Sequence, residues 1–134
     1  MLITPIMNGS QSPIFIVDDD PLQRRMASVM LRDLGYPDAA EAGDGAEALV
    51  YIRANEDAPM LTLCDLEMPG MDGVEFLCQL GTEHPGSTVA LLSSMDRSLI
   101  AAVETMAQSH GLRVIGAMQK PATREFLRDR KSVV

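Results

Sequence analysis

The chain is 134 residues long, which fits a single domain, and its hydrophobic fraction of 46% is ordinary for a folded protein. No apolar run approaches the roughly 20 residues of a membrane-spanning helix, so we expect no membrane contact. The formal net charge of −8 disfavours binding to the phosphate backbone of a nucleic acid. Two cysteines, Cys64 and Cys78, are too few for a disulfide framework or a zinc site, and we expect free thiols in the cytoplasm.

After residues 1–12, which have no periodicity and are expected to form a flexible leader, short apolar runs alternate with helical patterns. The first run is continuous and rich in β-branched residues, as a strand buried on both faces requires. Strands are predicted at residues 14–17, 39–42, 60–64, 88–92 and 114–118. We expect one domain at residues 13–130 and a short tail at residues 131–134.

A helix is predicted after each strand. Asp20, followed by a proline, begins the first helix, and Asp44 and Asp72, each with a glutamate three residues later, begin the second and third. A long amphipathic helix ends at Gly111, and a short last helix begins at Thr123. The first helix carries an apolar stripe made of Leu22, Met26, Val29, Met30 and Leu34. Strict alternation of five strands and five helices predicts a parallel sheet with helices on both faces.

Residues that carry chemistry follow four of the predicted strands. They are the acidic run at residues 18–20, Asp65, the serines at 93–94 and Lys120. In a parallel sheet, ligands bind beyond the carboxyl ends of the strands, so these groups are expected to meet at one edge. Carboxylates that share a cleft repel one another, and a divalent cation such as Mg²⁺ or Mn²⁺ relieves that repulsion. A metal beside a further carboxylate favours phosphoryl transfer to that carboxylate.

Four motifs, in order along the chain, resemble the receiver domain of bacterial response regulators. They are IVDDDP at residues 16–21, DLEMPGMDG at residues 65–73, the serine pair at 93–94 and the Lys-Pro pair at 120–121. The resemblance covers about residues 13–130. It implies phosphorelay signalling and an α/β, flavodoxin-like (βα)5 three-layer sandwich whose parallel five-stranded sheet has the order 2-1-3-4-5.

The resemblance also implies roles for individual residues. Asp65 would accept a phosphoryl group from a sensor histidine kinase or a phosphotransfer protein, and Ser93 and Lys120 would contact that group. Mg²⁺ (or Mn²⁺) would be held by Asp18, Asp19, Asp65 and the backbone carbonyl of Glu67, with Asp19 bound to the metal directly and Asp18 through water. The peptide bond from Lys120 to Pro121 is expected to be cis. Such a domain catalyses only its own phosphorylation and dephosphorylation, and is not otherwise an enzyme.

The sequence departs from the family pattern before the lysine. The position of the family's switch aromatic is occupied by Ala117, and the interval from Ser93 to Lys120 is longer than usual. In this long interval, the chain is similar to receivers that are fused to EAL-type cyclic-di-GMP phosphodiesterases. Expected partners are therefore a C-terminal effector domain of that type, or a second copy docked through the fourth helix and fifth strand. Whether the chain is a stand-alone regulator or the N-terminal domain of a longer protein stays open.

Two other functions stay open at this point. Asp18-x-Asp20 after the first strand is similar to the nucleophile motif of haloacid-dehalogenase-type phosphatases, but that family wants Thr or Val shortly after the second Asp, and this chain has Pro21-Leu22 there. Ala117 instead motivates a degenerate receiver that only binds other proteins. A purely structural interpretation also stays open, in which the acidic run at residues 18–20 only caps a helix.

Overall fold

A computed structural model of the chain describes residues 14–36, 38–55, 59, 61–68 and 72–131. The leader predicted at residues 1–12 lies outside these residues, as does residue 13. The predicted tail began at residue 131, but Lys131 is the last residue of a helix, and residues 132–134 are outside the described part.

The described residues form a parallel sheet of five strands whose order is β2-β1-β3-β4-β5. The strands are β1 (Ile14–Val17), β2 (Ala40–Ala42), β3 (Leu61–Asp65), β4 (Thr88–Ser93) and β5 (Arg113–Gln119). The helices between and after them are α1 (Pro21–Asp33), α2 (Gly45–Ala54), α3 (Gly73–Glu83), α4 (Arg97–Ser109) and α5 (Arg124–Lys131). The predicted flavodoxin-like sandwich with strand order 2-1-3-4-5 is confirmed.

The central strands are buried on both faces, as their continuous apolar sequences predict. Along β1, Phe15 contributes to one core and Ile14 to the other, because successive side chains of a strand point to opposite faces. The first core includes Phe76 of α3 and residues of α2 and α4, and the second includes Leu31 of α1 and Leu127 of α5. Each fully buried side chain of this size contributes about 1.5–3 kcal/mol. Helices therefore cover both faces and leave the strand ends open.

Aspartate side chains cap four of the helices in the described part of the chain. Asp20, Asp44, Asp72 and Asp96 each accept a hydrogen bond of 2.8 to 3.0 Å from a backbone N–H two or three residues later. The first three caps were predicted from the sequence. An N-cap of this kind contributes about 1 kcal/mol and fixes where its helix begins. The capped ends of α1, α3 and α4 all follow strands at the same edge of the sheet.

Only part of the apolar stripe predicted on the first helix faces the core: Met30 and Leu34 are partly buried and pack against it. Helix α1 buries Ala27, Ser28 and Leu31, whereas the side chains of Leu22 and Met26 are 68% and 47% exposed. Small residues at positions 27 and 28 share the buried face with Leu31, and Val29 of the stripe is exposed as well. An apolar surface is left beside the carboxyl end of β1.

The long fourth helix ends where its sequence predicts. His110 is the C-cap of α4, and Gly111 follows with φ of +91°, a left-handed conformation that glycine adopts without strain. Strand β5 then pairs with β4, with a register irregularity between Val89 and Ala90. None of the helices in the described residues is both long and apolar enough to cross a membrane.

Candidate functional site

The carboxyl ends of four strands bring the predicted site residues to one edge of the sheet. Asp18 follows β1, Asp65 ends β3, Ser93 ends β4 and Lys120 follows β5. Strands β1 and β3 are neighbours, with Val17 paired to Cys64, so Asp18 and Asp65 occupy the next positions on adjacent strands. The peptide bond between Lys120 and Pro121 is cis, as the resemblance implies.

Asp65 lies at the centre of this edge and is fully buried. Its Oδ1 atom is 2.8 Å from Nζ of Lys120 and accepts a hydrogen bond of 3.0 Å from the backbone N–H of Glu67. Its Oδ2 atom is also buried and has no hydrogen-bond partner among the described residues. Burial raises the pKa of Asp65 to about 6, although both partners of Oδ1 favour the charged form. The carboxylate is therefore oriented on one side and unsatisfied on the other.

Two further carboxylates stand beside Asp65. Oxygen atoms of Asp18, Asp19 and Asp65 lie within 4.8 Å of one another. Burial raises the pKa of Asp18, and the charge of Asp19 adds to that effect, while the backbone N–H of Asp20 and the charge of Lys120 oppose it. The unsatisfied Oδ2 of Asp65 and three carboxylates this close together fit a divalent cation, which prefers hard oxygen ligands. The acidic pocket could thus hold a metal ion.

Arg24 fixes the backbone of the acidic run, a role that sequence reasoning missed. Its Nη1 atom donates to the carbonyl of Asp18 at 2.6 Å, and its Nε donates to Glu41 of β2 at 3.0 Å. The side chain of Arg24 is only 19% exposed. An arginine in the first turn of a helix, with a glutamate in the next strand, is a weak sequence signal for this bridge. The contact holds the β1–α1 loop in place beside Asp65.

The carboxylate of Glu67 is a second unpredicted feature, since only its backbone carbonyl was expected to matter. Ser93 donates through Oγ to Oε2 of Glu67. Ser94 donates to Oε1 through its backbone N–H at 2.8 Å and through its hydroxyl at 2.7 Å. Lys120 Nζ lies 3.7 Å from the same Oε1. Burial alone would raise the pKa of Glu67, but these hydrogen bonds and the lysine charge outweigh it and lower the pKa.

Gly73 lets helix α3 begin directly against the end of β3. A Cβ atom at this position would lie 2.2 Å from the carbonyl oxygen of Asp65 and 2.6 Å from Cα of Leu66. The backbone N–H of Gly73 donates to the carbonyl of Leu66 at 3.3 Å. The resemblance to receivers implies a part in the same loop for Gly70 as well, but that residue lies outside the described part of the chain. The close approach fixes the backbone that carries Asp65.

The model of the response regulator receiver domain family matches residues 14–131. The chain belongs to this family. It is 31% identical over 112 residues to the cyclic di-GMP phosphodiesterase RocR of Pseudomonas aeruginosa, a match that covers 84% of this chain and 28% of that protein. It is 36% identical over 88 residues to the DNA-binding response regulator MtrA of Mycolicibacterium smegmatis, covering 66% of this chain and 37% of that protein. The receiver domain thus spans about a third of the length of these curated relatives.

Solved structures of receivers have the same fold. A response regulator from Colwellia psychrerythraea superposes with a TM-score of 0.75 and 26% identity, covering 92% of this chain and 96% of that chain. The Vibrio cholerae chemotaxis protein CheY4 superposes with a TM-score of 0.72 over 93% of this chain and 100% of its own, but its 24% identity supports the fold alone. The chain is a receiver domain of two-component signalling, which favours that function over the phosphatase alternative.

Proposed function

We propose that this receiver accepts a phosphoryl group on Asp65 from a sensor histidine kinase or a phosphotransfer protein, in a reaction that depends on Mg²⁺ (or Mn²⁺). The observation that carries the proposal is the environment of the Asp65 carboxylate. One of its oxygens is held by Lys120, and the other is buried without a partner among the described residues, beside two more carboxylates. A buried carboxylate in that setting is suited to act as an oriented nucleophile.

In the proposed transfer, an oxygen of Asp65 attacks phosphorus, the bond from phosphorus to the donor's histidine nitrogen breaks, and the imidazole leaves with the bonding electron pair. The cation would be held by Asp18, Asp19, Asp65 and the backbone carbonyl of Glu67. When bound, it supplies positive charge that offsets the negative charge of the transferring group. Lys120 supplies a second positive charge, 2.8 Å from Oδ1 of Asp65. The Ser93 hydroxyl, at the end of β4, is the proposed hydrogen-bond donor to the phosphoryl oxygens.

The surface around α1 supports docking of the phosphoryl donor. Leu22 and Met26 are exposed, and with Pro121 they line a mainly apolar depression of about 200 Å³ that reaches Asp18. A soluble domain rarely exposes large apolar side chains in a cluster without a partner. A helical donor protein that covers this depression would bring its histidine toward Asp65. The exposed part of the α1 stripe thus acquires a function.

A different surface supports signal output. Between α4 and β5 lies a groove of about 520 Å³ whose walls include Arg97, Ile100, Glu104 and Ala117. The alanine leaves open the space that an aromatic side chain would fill at this position. We propose that a second copy of the domain, or an effector domain of the EAL type, docks there. RocR is named a cyclic di-GMP phosphodiesterase, and any such activity in the full protein would belong to a segment outside this receiver.

The domain itself is proposed to catalyse no reaction other than its own phosphorylation and dephosphorylation. Both cysteines are free thiols, with Cys64 buried, which fits the cytoplasmic location that we propose.

Incubation with acetyl phosphate and Mg²⁺ tests the proposal. An acyl phosphate that is labile to hydroxylamine is expected on Asp65 of the wild-type protein, detected by intact mass and peptide mapping. Asp65→Asn should carry none, because the nucleophile is gone while the shape is kept. The matched control, Asp38→Asn, changes an exposed aspartate and should be labelled like the wild type. Turnover at Asp18 would support the phosphatase alternative, and no label at all would support a degenerate, protein-binding receiver.

A further inference from the structure

The carboxylate of Glu67 collects hydrogen-bond donors from two other parts of the chain. Ser93 and Ser94, at the end of β4, supply three donors, and Lys120 Nζ lies 3.7 Å from Oε1. The side chain of Glu67 is one-third exposed, so its carboxylate lies at the mouth of the site and not in the core. Such charge-assisted hydrogen bonds are stronger than neutral ones and hold their partners in one arrangement.

The same donors are those that a phosphoryl group on Asp65 would need. Nζ of Lys120 stands between two carboxylates, 2.8 Å from Asp65 and 3.7 Å from Glu67. The Ser93 hydroxyl, proposed to contact the phosphoryl group, is already donated to Glu67. The Ser93 hydroxyl has one hydrogen and cannot donate it to the Glu67 carboxylate and to a phosphoryl oxygen at once. The two negative groups would also repel each other if both stayed close to Lys120.

We propose that the Glu67 carboxylate is a built-in competitor for the phosphoryl-oxygen donors, bound to Ser93, Ser94 and Lys120 before phosphorylation and displaced when the phosphoryl group arrives. The inference rests on the proposed function of Asp65. Glu67 is here a positioning residue. It keeps the loop after β4 ordered, and the free energy needed to displace it contributes to the free energy of phosphorylation.

The contacts of the serine loop give the displacement a route to the output surface. The Ser93 hydroxyl that donates to Glu67 also accepts a hydrogen bond of 2.9 Å from the backbone N–H of Met95. The Met95 carbonyl in turn accepts from the side-chain amide of Gln119 at 3.0 Å. Gln119 ends β5 and lines the groove beside α4. Release of Glu67 therefore acts on α4 and β5 without any aromatic side chain.

Binding of beryllofluoride, a phosphoryl analogue, in the presence of Mg²⁺ tests the competition. Glu67→Ala keeps the backbone carbonyl and removes the competitor, so its affinity for beryllofluoride should rise at least tenfold by calorimetric titration. Glu67→Gln keeps the shape without the charge and should give a smaller rise. The matched control Glu125→Ala removes the same charge from an exposed position of α5 and should stay within about twofold of the wild type.

The backbone amide resonance of Ser94 supplies a second, structural readout. Without ligand, Glu67→Ala should shift this resonance, because the hydrogen bond to Glu67 is lost. With saturating beryllofluoride, the wild type and the variant should converge, since the carboxylate has been displaced in both. A difference that persists in the two complexes would overturn the proposal.

The affinities separate this inference from the function on which it rests. If the wild type binds beryllofluoride and Glu67→Ala binds it no more tightly, the competition is refuted and the proposed function of Asp65 stands. An equal rise in the affinity for Mg²⁺ alone would also refute it, because the metal does not use the serine donors. If the wild type neither binds beryllofluoride nor is phosphorylated on Asp65, both proposals fail.

Discussion

Nζ of Lys120 lies 2.8 Å from Oδ1 of Asp65, a contact that joins the end of β3 to the loop after β5 across the intervening strand β4. Burial raises the pKa of Asp65, and Lys120 limits that rise because it stabilises the charged form. The pair therefore keeps a deeply buried carboxylate ionisable near neutral pH. It also places a positive charge where negative charge would develop during phosphoryl transfer.

Replacing Lys120 should slow phosphorylation more than it harms the fold. Lys120→Met removes the charge-assisted hydrogen bond, so we expect the rate of acyl phosphate formation from acetyl phosphate to fall roughly 10- to 100-fold. Lys120→Arg keeps the charge with a different geometry and should lose less. Arg128→Met, which changes an exposed cation of α5, serves as the control. A Lys120→Met rate equal to that of the wild type would exclude the role proposed for the lysine.

The stability of the metal-free protein should reveal the raised pKa of Asp65. Its ordinary value is 3.8 and its value in the folded protein is about 6, so between these pH values the folded state binds the extra proton. The contribution of Asp65 is therefore present below about pH 4 and is lost as pH rises through 6. In chelator at pH 7, Asp65→Asn should stabilise the protein by on the order of 2 kcal/mol, and the gain should vanish near pH 4. Urea unfolding at several pH values, with Asp38→Asn as control, measures this; a gain independent of pH would contradict it.

Metal binding should depend on Asp19 more than on Asp20. Asp19 belongs to the acidic cluster, whereas Asp20 uses its carboxylate to cap α1. Asp19→Asn should weaken Mg²⁺ binding at least tenfold, because a charged ligand is replaced by a neutral one. Asp20→Asn should change it by no more than about twofold, since asparagine is an equally good N-cap. Titration of Mg²⁺ against both variants distinguishes them, and a larger loss at Asp20 would show that the metal ligands are assigned wrongly.

Adding a single methyl group at Gly73 should destabilise the domain strongly. The new Cβ would overlap the backbone of Asp65 and Leu66, which cannot move without shifting β3. We expect Gly73→Ala to cost more than about 2 kcal/mol of unfolding free energy. Gly43→Ala is the matched control, because its Cβ would meet side-chain atoms no closer than 3.7 Å. Equal stability of the two variants would refute the close approach of α3 to β3.

Local sequence patterns were enough to predict the strands, but not every surface they create. The run at residues 14–17 predicted β1 residue for residue, because a strand buried on both faces has few alternatives. The apolar stripe of α1 could be found in the same way, but the sequence does not show that Met30 and Leu34 pack against the core while Leu22 and Met26 stay exposed. A helical stripe shows that a face is apolar; whether that face meets the sheet or a partner depends on packing.

The residues of the site, too, could be predicted from the sequence only in part. Asp18, Asp65 and Lys120 could be predicted because each directly follows or ends a strand, and topology brings strand ends together. The role of the Glu67 carboxylate could not, since its donors Ser93 and Ser94 lie 26 and 27 positions further along the chain and meet it only through the register of β3 and β4. Nothing in the sequence around Glu67 shows which way its side chain turns.

We expect the signal to pass through α4 and β5. Ala117 has no side chain beyond Cβ, so no aromatic rotation can fill or vacate the groove beside α4. The change must then be carried by the backbone of the loop after β4, which Ser93 and Met95 link to Gln119. A bistable segment of this kind needs only a few kcal/mol of bias to change its population.

Amide hydrogen exchange of the free and beryllofluoride-bound protein measures that change. We expect altered protection across residues 95–118, where α4 and β5 meet, in addition to the loop that follows Asp65. Helix α2 is the internal control. It packs on the same face of the sheet as α4, but the hydrogen bonds that run from Ser93 through Met95 lead to Gln119 and not to α2. Changes confined to residues 65–73 would place the switch elsewhere. The Glu67→Ala variant should already have part of the altered protection without ligand, because the contact that orders Ser93 and Ser94 is missing.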